Sequence, residues 1–480
     1  MMLARENPAR TDECVGEVEV ADAAAVDAAV RRARAAQRGW AGVPVAERAR
    51  VLREAADRLV PQQDAIAELM ARETGKVLPD CGGEVAFAIS VLRWAADTAE
   101  RLLVDSEVDD DRGRLLLRHR PYGVVAAITP WNAPVVLAVL KVGPALATGN
   151  TVVVKPSPLA PFAVARFLGV LADRLPRGAL HVVHGDAATS TALVGHPGVD
   201  RVAFTGGEAA GRAIGELAGR SLTPSLLELG GNDPAILLAD AALDDAAMDR
   251  LVMAAFATSG QVCMAVKRLY VHTSRYDEVV DAFRTAADRV LRWGDPLHAG
   301  VSMGPVVSAA AACRVRDLVD RAAGRGAEVH EIGRRDDATD PDRGHYLAPS
   351  LVLGAGDGEP LVAEEQFGPV LPLLRFRTEE EVLARANAGE LGLGASVWSA
   401  DEDHAFDLAR RLDCGFAFVN THNRTGLALR APFGGVKRSG WGREYGDEGV
   451  LEHVQTCVVH APGAFRPGGA GLGAAAYPTG

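Results

Sequence analysis

The chain has 480 residues, of which 48% are hydrophobic and 24% charged, and this length and composition are typical of a globular protein with two or three domains. Its net charge of −12 argues against a general nucleic-acid-binding surface. No apolar run of about 18 residues marks a membrane span, and the charged start of the chain lacks the apolar stretch of a signal peptide. We therefore expect a cytoplasmic protein that binds neither nucleic acid nor membrane.

The N-terminal part of the sequence predicts helices, and the part after residue 120 predicts alternating strands and helices. Apolar residues at helical spacing predict helices over 23–40, 46–73 and 83–101, and a charged hairpin follows over 104–120. Further on, strands are predicted at 124–128, 151–154, 181–183, 201–204, 235–238 and 269–272, with helices between them and over 276–293. This alternation predicts an α/β protein with parallel, doubly wound sheets. The Gly- and Ala-rich residues 461–480 predict a mobile tail.

Cysteine and lysine are both sparse. The six cysteines, at 14, 81, 263, 313, 414 and 457, include no Cys-x-x-Cys pair, so neither a metal site nor a disulfide framework is expected. Basic residues are mostly arginine, and lysine occurs only at 76, 141, 155, 267 and 437. A retained lysine either marks a position that needs a compact ammonium group or survives by chance.

Two segments contain candidate catalytic groups. In residues 259–265, Cys263 follows a Gly-Gln turn and is either a nucleophile or a buried core thiol. In residues 226–234, Glu228 lies among leucines before a Gly-Gly bend. Burial there would raise the pKa of the carboxyl toward that of a general base, and a salt bridge or a helix cap is the alternative.

Two further segments follow predicted strands, where α/β proteins bind ligands. Asn132, after the strand at 124–128, either donates its amide to an oxyanion or forms an Asx turn. Residues 204–211 place Gly206 and Gly211 where a helix begins, which suits a pyrophosphate, although the G-x-G-x-x-G pattern is absent.

Taken together, these segments resemble the aldehyde dehydrogenase superfamily in order and spacing, from about residue 7 to residue 459. The resemblance implies that Cys263 is the catalytic nucleophile, Glu228 the general base and Asn132 the oxyanion donor. It also implies that Lys141 assists the network around the base and the water.

The resemblance further implies a nicotinamide dinucleotide, with NAD expected and NADP as the alternative. Pro158 stands where many relatives carry a glutamate that chelates the ribose hydroxyls, and this makes the choice between the two less certain. The implied cofactor-binding residues are Ile128, Thr129, Pro130, Trp131, Lys155, Ser157, Gly206, Gly207, Gly211, Leu229, Glu365 and Phe367.

The domain organisation implied by the resemblance has three parts. Residues 1–103 and 122–229 form a dinucleotide-binding domain, and residues 230–432 form a catalytic domain. Residues 104–121 and 450–460 bridge subunits in a homodimer or homotetramer.

The implied reaction oxidises an aldehyde to a carboxylic acid through a cysteine thiohemiacetal and a thioester, which Glu228-activated water hydrolyses. A CoA-acylating relative and a catalytically silent homologue are the alternatives. The presence of Glu228 disfavours the first, and the presence of Cys263, Glu228 and Asn132 together disfavours the second.

The resemblance leaves the aldehyde undefined. It predicts an apolar, non-aromatic channel lined by Ala133, Leu137, Leu140, Val262 and Met264. Arg424, on a loop that reaches the channel, either binds an anionic substrate or is a solvated loop residue.

Overall fold

A computed structural model of the protein describes residues 1–466. In chain order the strands are β1 Met2–Asn7, β2 Arg10–Glu19, β3 Ser106–Asp110, β4 Gly113–Pro121, β5 Val124–Ile128, β6 Thr151–Lys155, β7 Leu180–Val182, β8 Arg201–Thr205, β9 Ser225–Glu228, β10 Asp233–Leu237, β11 Val266–His272, β12 Arg292–Trp293, β13 Glu328–Glu331, β14 Arg334–Arg335, β15 Ser350–Leu353, β16 Val370–Phe376, β17 Leu391–Gly392, β18 Gly394–Trp398, β19 Phe416–Val419, β20 Val436–Lys437, β21 Gly440–Trp441 and β22 Val454–Pro462. The α-helices are α1 Ala23–Ala41, α2 Val45–Leu59, α3 Gln63–Thr74, α4 Leu78–Leu102, α5 Pro134–Ala147, α6 Phe162–Ala172, α7 Ala187–Val194, α8 Glu208–Arg220, α9 Asp245–Phe256, α10 Tyr276–Val290, α11 Ala309–Ala323, α12 Pro360–Ala363, α13 Glu379–Asn387, α14 Glu402–Ala409 and α15 Gly446–Leu451.

The first large sheet has the strand order β21-β9-β8-β5-β6-β7. Its strands are parallel except for β21, which pairs antiparallel with β9. Within this sheet the chain first forms the central strand β5 and then β6 and β7 toward one edge. It next forms β8 and β9 on the other side of β5. The order therefore reverses between β5 and β8, and open α/β sheets bind ligands at the carboxyl ends of the strands at such a point.

The second large sheet has the order β13-β15-β16-β11-β10-β18-β19 and is parallel except for its edge strand β13. Its seven strands all lie between residues 233 and 419, while β12 pairs with β14 and β17 pairs with β20 in separate two-stranded sheets. The predicted fold class, α/β with two doubly wound sheets, is confirmed.

The central strands are buried on both faces, which explains why they read as continuous apolar runs. Along β5, Val125 and Ala127 pack into a core that includes α2 to α6. Val124, Ala126 and Ile128 alternate with them and pack against α1, α7 and α8. A single-residue shift in register would exchange the two sets of side chains between these cores.

A third, smaller sheet has the order β22-β4-β3 and is antiparallel, so the predicted hairpin at 104–120 joins the late strand of the chain. Val458 and Val459 on β22 are 57% and 58% exposed. The predicted tail begins too early, because Ala461 and Pro462 belong to β22 and pair with β4. Its remaining part from residue 467 lies outside the described residues.

Other predicted elements need correction in their bounds. The N-terminal hairpin of β1 and β2 was not predicted, and the helix expected over 46–73 is divided by a 3-10 turn at Val60–Gln62, whose Pro61 lacks a backbone N–H. The helix expected over 276–293 ends at Val290, because Arg292 and Trp293 pair with β14. Within residues 1–466, none of the helices is long and apolar enough to cross a membrane.

Candidate active site

Cys263 follows a backbone segment that local sequence preference alone would not produce. In the 3-10 turn Ala257–Gly260, Thr258 and Ser259 adopt left-handed conformations with φ of 55° and 58°. Gly260 has φ 69°, and a Cβ there would lie 2.2 Å from the carbonyl oxygen of Gly368, so this position requires glycine. Such strained backbone persists only where the surrounding structure holds it, and it is common at functional sites.

Buried side chains hold this loop on both sides of the cysteine. The Gln261 side chain donates to Thr258 O at 3.1 Å and accepts from the Val307 amide at 2.9 Å. After the cysteine, Lys267 Nζ donates to Val262 O at 2.7 Å and lies 3.4 Å from Glu365 Oε1. The cysteine is therefore carried on a rigid loop, as a positioned nucleophile requires.

Asn132, which lies between β5 of the first large sheet and α5, contacts this loop. Its Nδ2 donates to the Gln261 carbonyl oxygen at 3.0 Å, and Asn132 is 6% exposed. The bond fixes the amide beside Cys263, and both residues line one cavity of about 370 Å³. Because an amide carries two N–H groups, the second one remains available as a donor.

The thiol of Cys263 is not activated by the protein alone. Burial is the main reason that its pKa is raised to about 12; Lys267 opposes the rise, and the charges of Glu365, Asp233 and Glu228 add to it. The thiol is therefore neutral near pH 7, and forming the thiolate requires a base or an additional positive charge.

Glu228 ends β9 in a buried position, as the sequence predicted. Its pKa is raised well above the usual range, first by burial and then by the charge of Glu444, while Lys141 and Arg443 oppose the rise. Among the described residues, its Oε1 has no hydrogen-bond partner. A buried carboxyl of this kind is suited to accept a proton near neutral pH.

Lys141, on α5, joins two residues that sequence reasoning missed, and its charge acts on Glu228. Its Nζ donates to Thr205 Oγ1 at 2.6 Å and to Glu444 Oε1 at 2.5 Å, and the Lys141 and Glu444 side chains are 1% and 4% exposed. In the sequence, Glu444 is an isolated acidic residue in the glycine-rich stretch 440–446, and nothing else distinguishes it. Its ion-pair partner Lys141 lies 303 residues earlier, so local pattern did not reveal its role.

A second cavity, of about 350 Å³, lies at the carboxyl ends of β5 and β8, where the strand order reverses. Eight of the predicted cofactor residues line it, namely Ile128, Thr129, Pro130, Trp131, Lys155, Ser157, Gly206 and Gly207. Gly207 is the N-cap of α8, whose first amides are potential phosphate donors.

Polar groups in this second cavity fit a dinucleotide. Thr129 Oγ1 is buried and, among the described residues, has no hydrogen-bond partner. Lys155 Nζ donates to the Gly185 carbonyl oxygen at 2.9 Å, and burial lowers the pKa of Lys155 to about 8 against the charge of Asp186. An anionic ligand would favour the charged form of this lysine.

The other four predicted cofactor residues do not line this cavity, and two of them, Gly211 and Leu229, line a separate one. Gly211 packs against Leu229, since a Cβ on the glycine would lie 2.4 Å from Leu229 Cδ2. Glu365 accepts a hydrogen bond from the Gly231 amide at 3.3 Å. Phe367 stacks edge-on against Trp131, with ring centroids 5.6 Å apart.

The cavity at Cys263 differs from the predicted channel in two respects. Ala133, Leu137, Val262 and Met264 line it as expected, but Leu140 is 2% exposed and packs in the core. Leu140 lies one helical turn beyond the cavity, and Val136 on the same helix lines it. The prediction of a non-aromatic lining is wrong, because Phe87 from α4 and Tyr445 both face the cavity.

The two cavities and the cysteine define an α/β oxidoreductase, and comparison with known proteins gives the family. The aldehyde dehydrogenase family model matches residues 2–459. Geranial dehydrogenase of Castellaniella defragrans is 40% identical over 449 residues, 92% of both chains. Succinate-semialdehyde dehydrogenase [NADP(+)] of Deinococcus radiodurans is 36% identical over 452 residues, 94% of this chain and 93% of the relative.

Solved structures agree with these relatives. The crystal structure of an NAD-dependent aldehyde dehydrogenase from Sinorhizobium meliloti matches with a TM-score of 0.91 and 34% identity, covering 97% of this chain and 92% of that one. The chain belongs to the aldehyde dehydrogenase family. It is an oxidoreductase that acts on aldehydes, as the motifs of the sequence predicted.

Proposed function

We propose that this chain oxidises an aldehyde to its carboxylic acid through a covalent adduct on Cys263, with NAD or NADP as cofactor. The observation that supports this most strongly is the shared cavity of Cys263 and Asn132, with the Asn132 amide held by its bond to the Gln261 carbonyl. The second N–H of that amide and the backbone N–H of Cys263 would stabilise the oxyanion formed on attack.

The first step joins the Cys263 sulfur to the aldehyde carbon. Because the pKa of the thiol is raised to about 12, the thiol must give up its proton as the bond forms, and Glu228 is the nearby carboxyl whose raised pKa suits it to accept that proton. Lys155 and Ser157 would hold a nicotinamide dinucleotide, which would supply positive charge and a hydride acceptor for the conversion of the adduct to a thioester.

Hydrolysis of the thioester returns the enzyme to its starting state. Once Glu228 has released the thiol proton to solvent, it takes a proton from water, and the water oxygen attacks the thioester carbon. The carbon–sulfur bond then breaks to release the carboxylic acid, and the proton held by Glu228 passes to the Cys263 sulfur. Lys141 and Glu444 act on Glu228 in opposite senses, since the ammonium group lowers its pKa and the carboxylate raises it. The balance of these charges sets the strength of the base.

The second cavity would hold the dinucleotide, through Lys155, Ser157 and the first turn of α8. Among the described residues that line it, Lys155 is the only cation, and Pro158 provides no carboxylate to repel a 2′-phosphate. Recognition of that phosphate usually uses arginine as well. We therefore expect NAD to be preferred, with measurable use of NADP.

The names of the relatives leave the aldehyde open, because geranial is apolar and succinate semialdehyde is an anion. We also infer a homo-oligomer in the cytoplasm. The exposed Val458 and Val459 on β22 support an interface there, since an apolar strand edge left bare favours aggregation.

The test of the proposed function compares two cysteine variants. Cys263→Ala should abolish NAD(P)H formation with every aldehyde that the unmodified enzyme oxidises. Cys414→Ala is the matched control, because Cys414 is also partly buried, and burial likewise raises its pKa to about 12. Turnover by Cys263→Ala would contradict the proposal, and a requirement for CoA would contradict the hydrolytic step.

A further inference from the structure

Two charged residues on different elements meet in the lining of the cavity at Cys263. Asp80 lies in the first turn of α4, and Arg424 lies in the 3-10 turn Asn423–Gly426. Arg424 Nη2 donates to Asp80 Oδ2 at 3.0 Å, with side chains 39% and 20% exposed respectively. Both residues therefore face the cavity and remain partly accessible to solvent.

The loop that carries Arg424 is anchored on both sides of the arginine. Asn423 has φ 62°, and its Nδ2 donates to the Ala254 carbonyl oxygen at 3.1 Å. Its Oδ1 accepts a hydrogen bond from the Arg424 backbone amide at 2.8 Å. The hydroxyl groups of Thr421 and Thr425 form a hydrogen bond at 2.6 Å. Because the backbone is held in this way, the guanidinium group meets Asp80 without a rearrangement of the loop.

The other cation in the cavity lining is also paired. Lys76 forms a buried ion pair with Glu84, whose Oε1 also accepts the backbone amides of Val135 and Val136. Among the described lining residues, two cations thus face two carboxylates. Most of the remaining lining is apolar or aromatic, including Phe87, Val136, Leu137, Met264 and Leu427.

We propose that the Asp80–Arg424 ion pair makes the cavity selective for uncharged, hydrocarbon-rich aldehydes and against aldehydes that carry a second, anionic end. This proposal rests on the proposed function and names its substrate class. An aldehyde with a terminal carboxylate would have to displace Asp80 from Arg424 and would meet the repulsion of that carboxylate. Discrimination by repulsion of the wrong partner is a general route to specificity.

The test compares two aldehydes of the same chain length, pentanal and glutaric semialdehyde, by their kcat/KM values. The unmodified enzyme should favour pentanal by at least about tenfold, since one charge-assisted hydrogen bond corresponds to about ten- to hundredfold in binding. Asp80→Asn should raise kcat/KM for glutaric semialdehyde by about tenfold or more, mainly through KM, and so lower the preference for pentanal by about the same factor.

A double variant tests whether the gain in kcat/KM for glutaric semialdehyde depends on Arg424, and a second variant serves as the control. The double variant Asp80→Asn/Arg424→Gln should lose the gain, because no unpaired guanidinium group remains. Asp57→Asn, which removes a pair with Arg93 at 2.7 Å on the outside of α4, is the matched control and should not change the ratio.

The outcomes separate this inference from the proposed function. If neither aldehyde is oxidised with NAD or NADP, the proposed function fails. If pentanal is oxidised but the unmodified enzyme favours glutaric semialdehyde, or Asp80→Asn leaves the ratio unchanged, the ion pair does not set the specificity and only this inference is overturned.

Discussion

The buried ion pair of Lys141 and Glu444 offers a direct test of how the site tunes Glu228, the proposed general base. Glu444→Gln removes the negative charge that, after burial, contributes most to the raised pKa of Glu228. It also leaves the Lys141 ammonium group without its counter-charge, and that ammonium group lowers the pKa of Glu228. Both effects act in the same direction, so the pKa of Glu228 should fall.

A lower pKa keeps Glu228 ionised to lower pH and makes it a weaker base. The acid limb of the pH profile of kcat should therefore move to lower pH, and the plateau should fall. The measurement is kcat against pH for both enzymes at saturating aldehyde. An acid limb that is unchanged or moves to higher pH would refute the electrostatic role of Glu444.

The same variant carries a cost in stability that can be estimated from burial. The two side chains are 1% and 4% exposed with 2.5 Å between Nζ and Oε1, and removing one partner of such a buried pair costs about 3–5 kcal/mol. Urea denaturation should detect this loss. The apolar double variant Lys141→Met/Glu444→Leu should recover much of it without restoring the pH profile, which separates folding from catalysis. Glu216→Gln, from an exposed pair with Arg220, is the control and should change neither property.

Other predictions concern single steps and assembly. Glu228→Gln should give a rapid burst of reduced cofactor of up to one equivalent per site followed by slow turnover, because an amide cannot take a proton from water; rapid mixing measures this, and loss of the burst would assign Glu228 to thiol activation instead. Asn132→Ala should lower kcat by about 10²–10³, the usual cost of one oxyanion donor, and a decrease below about tenfold would contradict that role. Light scattering should give a mass of two or four chains, and a mass equal to one 50.4 kDa chain at micromolar concentration would argue against an oligomer. The kcat/KM ratio for the two cofactors should favour NAD, and a preference of about tenfold or more for NADP would contradict the reading of Pro158 and Lys155.

The sequence alone determined the strand–helix alternation and the identity of the main candidate groups. The apolar run 124–128, and residues 202–204 within the strand predicted over 201–204, predicted buried parallel strands, because strands packed on both faces are mostly apolar. Cys263, Glu228 and Asn132 lie in short motifs whose spacing is a local property of the chain. The family followed from the order of these motifs and is confirmed by the comparisons.

Tertiary structure alone decided which distant charges act on those groups. Glu444 reaches Lys141 across about 300 residues, and Arg424 reaches Asp80 across about 340. Neither contact has a local signature, since an isolated acid or arginine in a glycine-rich stretch or a loop has the same pattern whether it is solvated or buried. The same limit explains the missed Phe87 and Tyr445 and the wrongly expected Leu140, because helical spacing predicts a face but not what the neighbouring helix brings to it. The sequence thus identifies the candidate reacting groups. The fold sets their electrostatic environment and the shape of the cavity, because both depend on contacts between residues far apart in the chain.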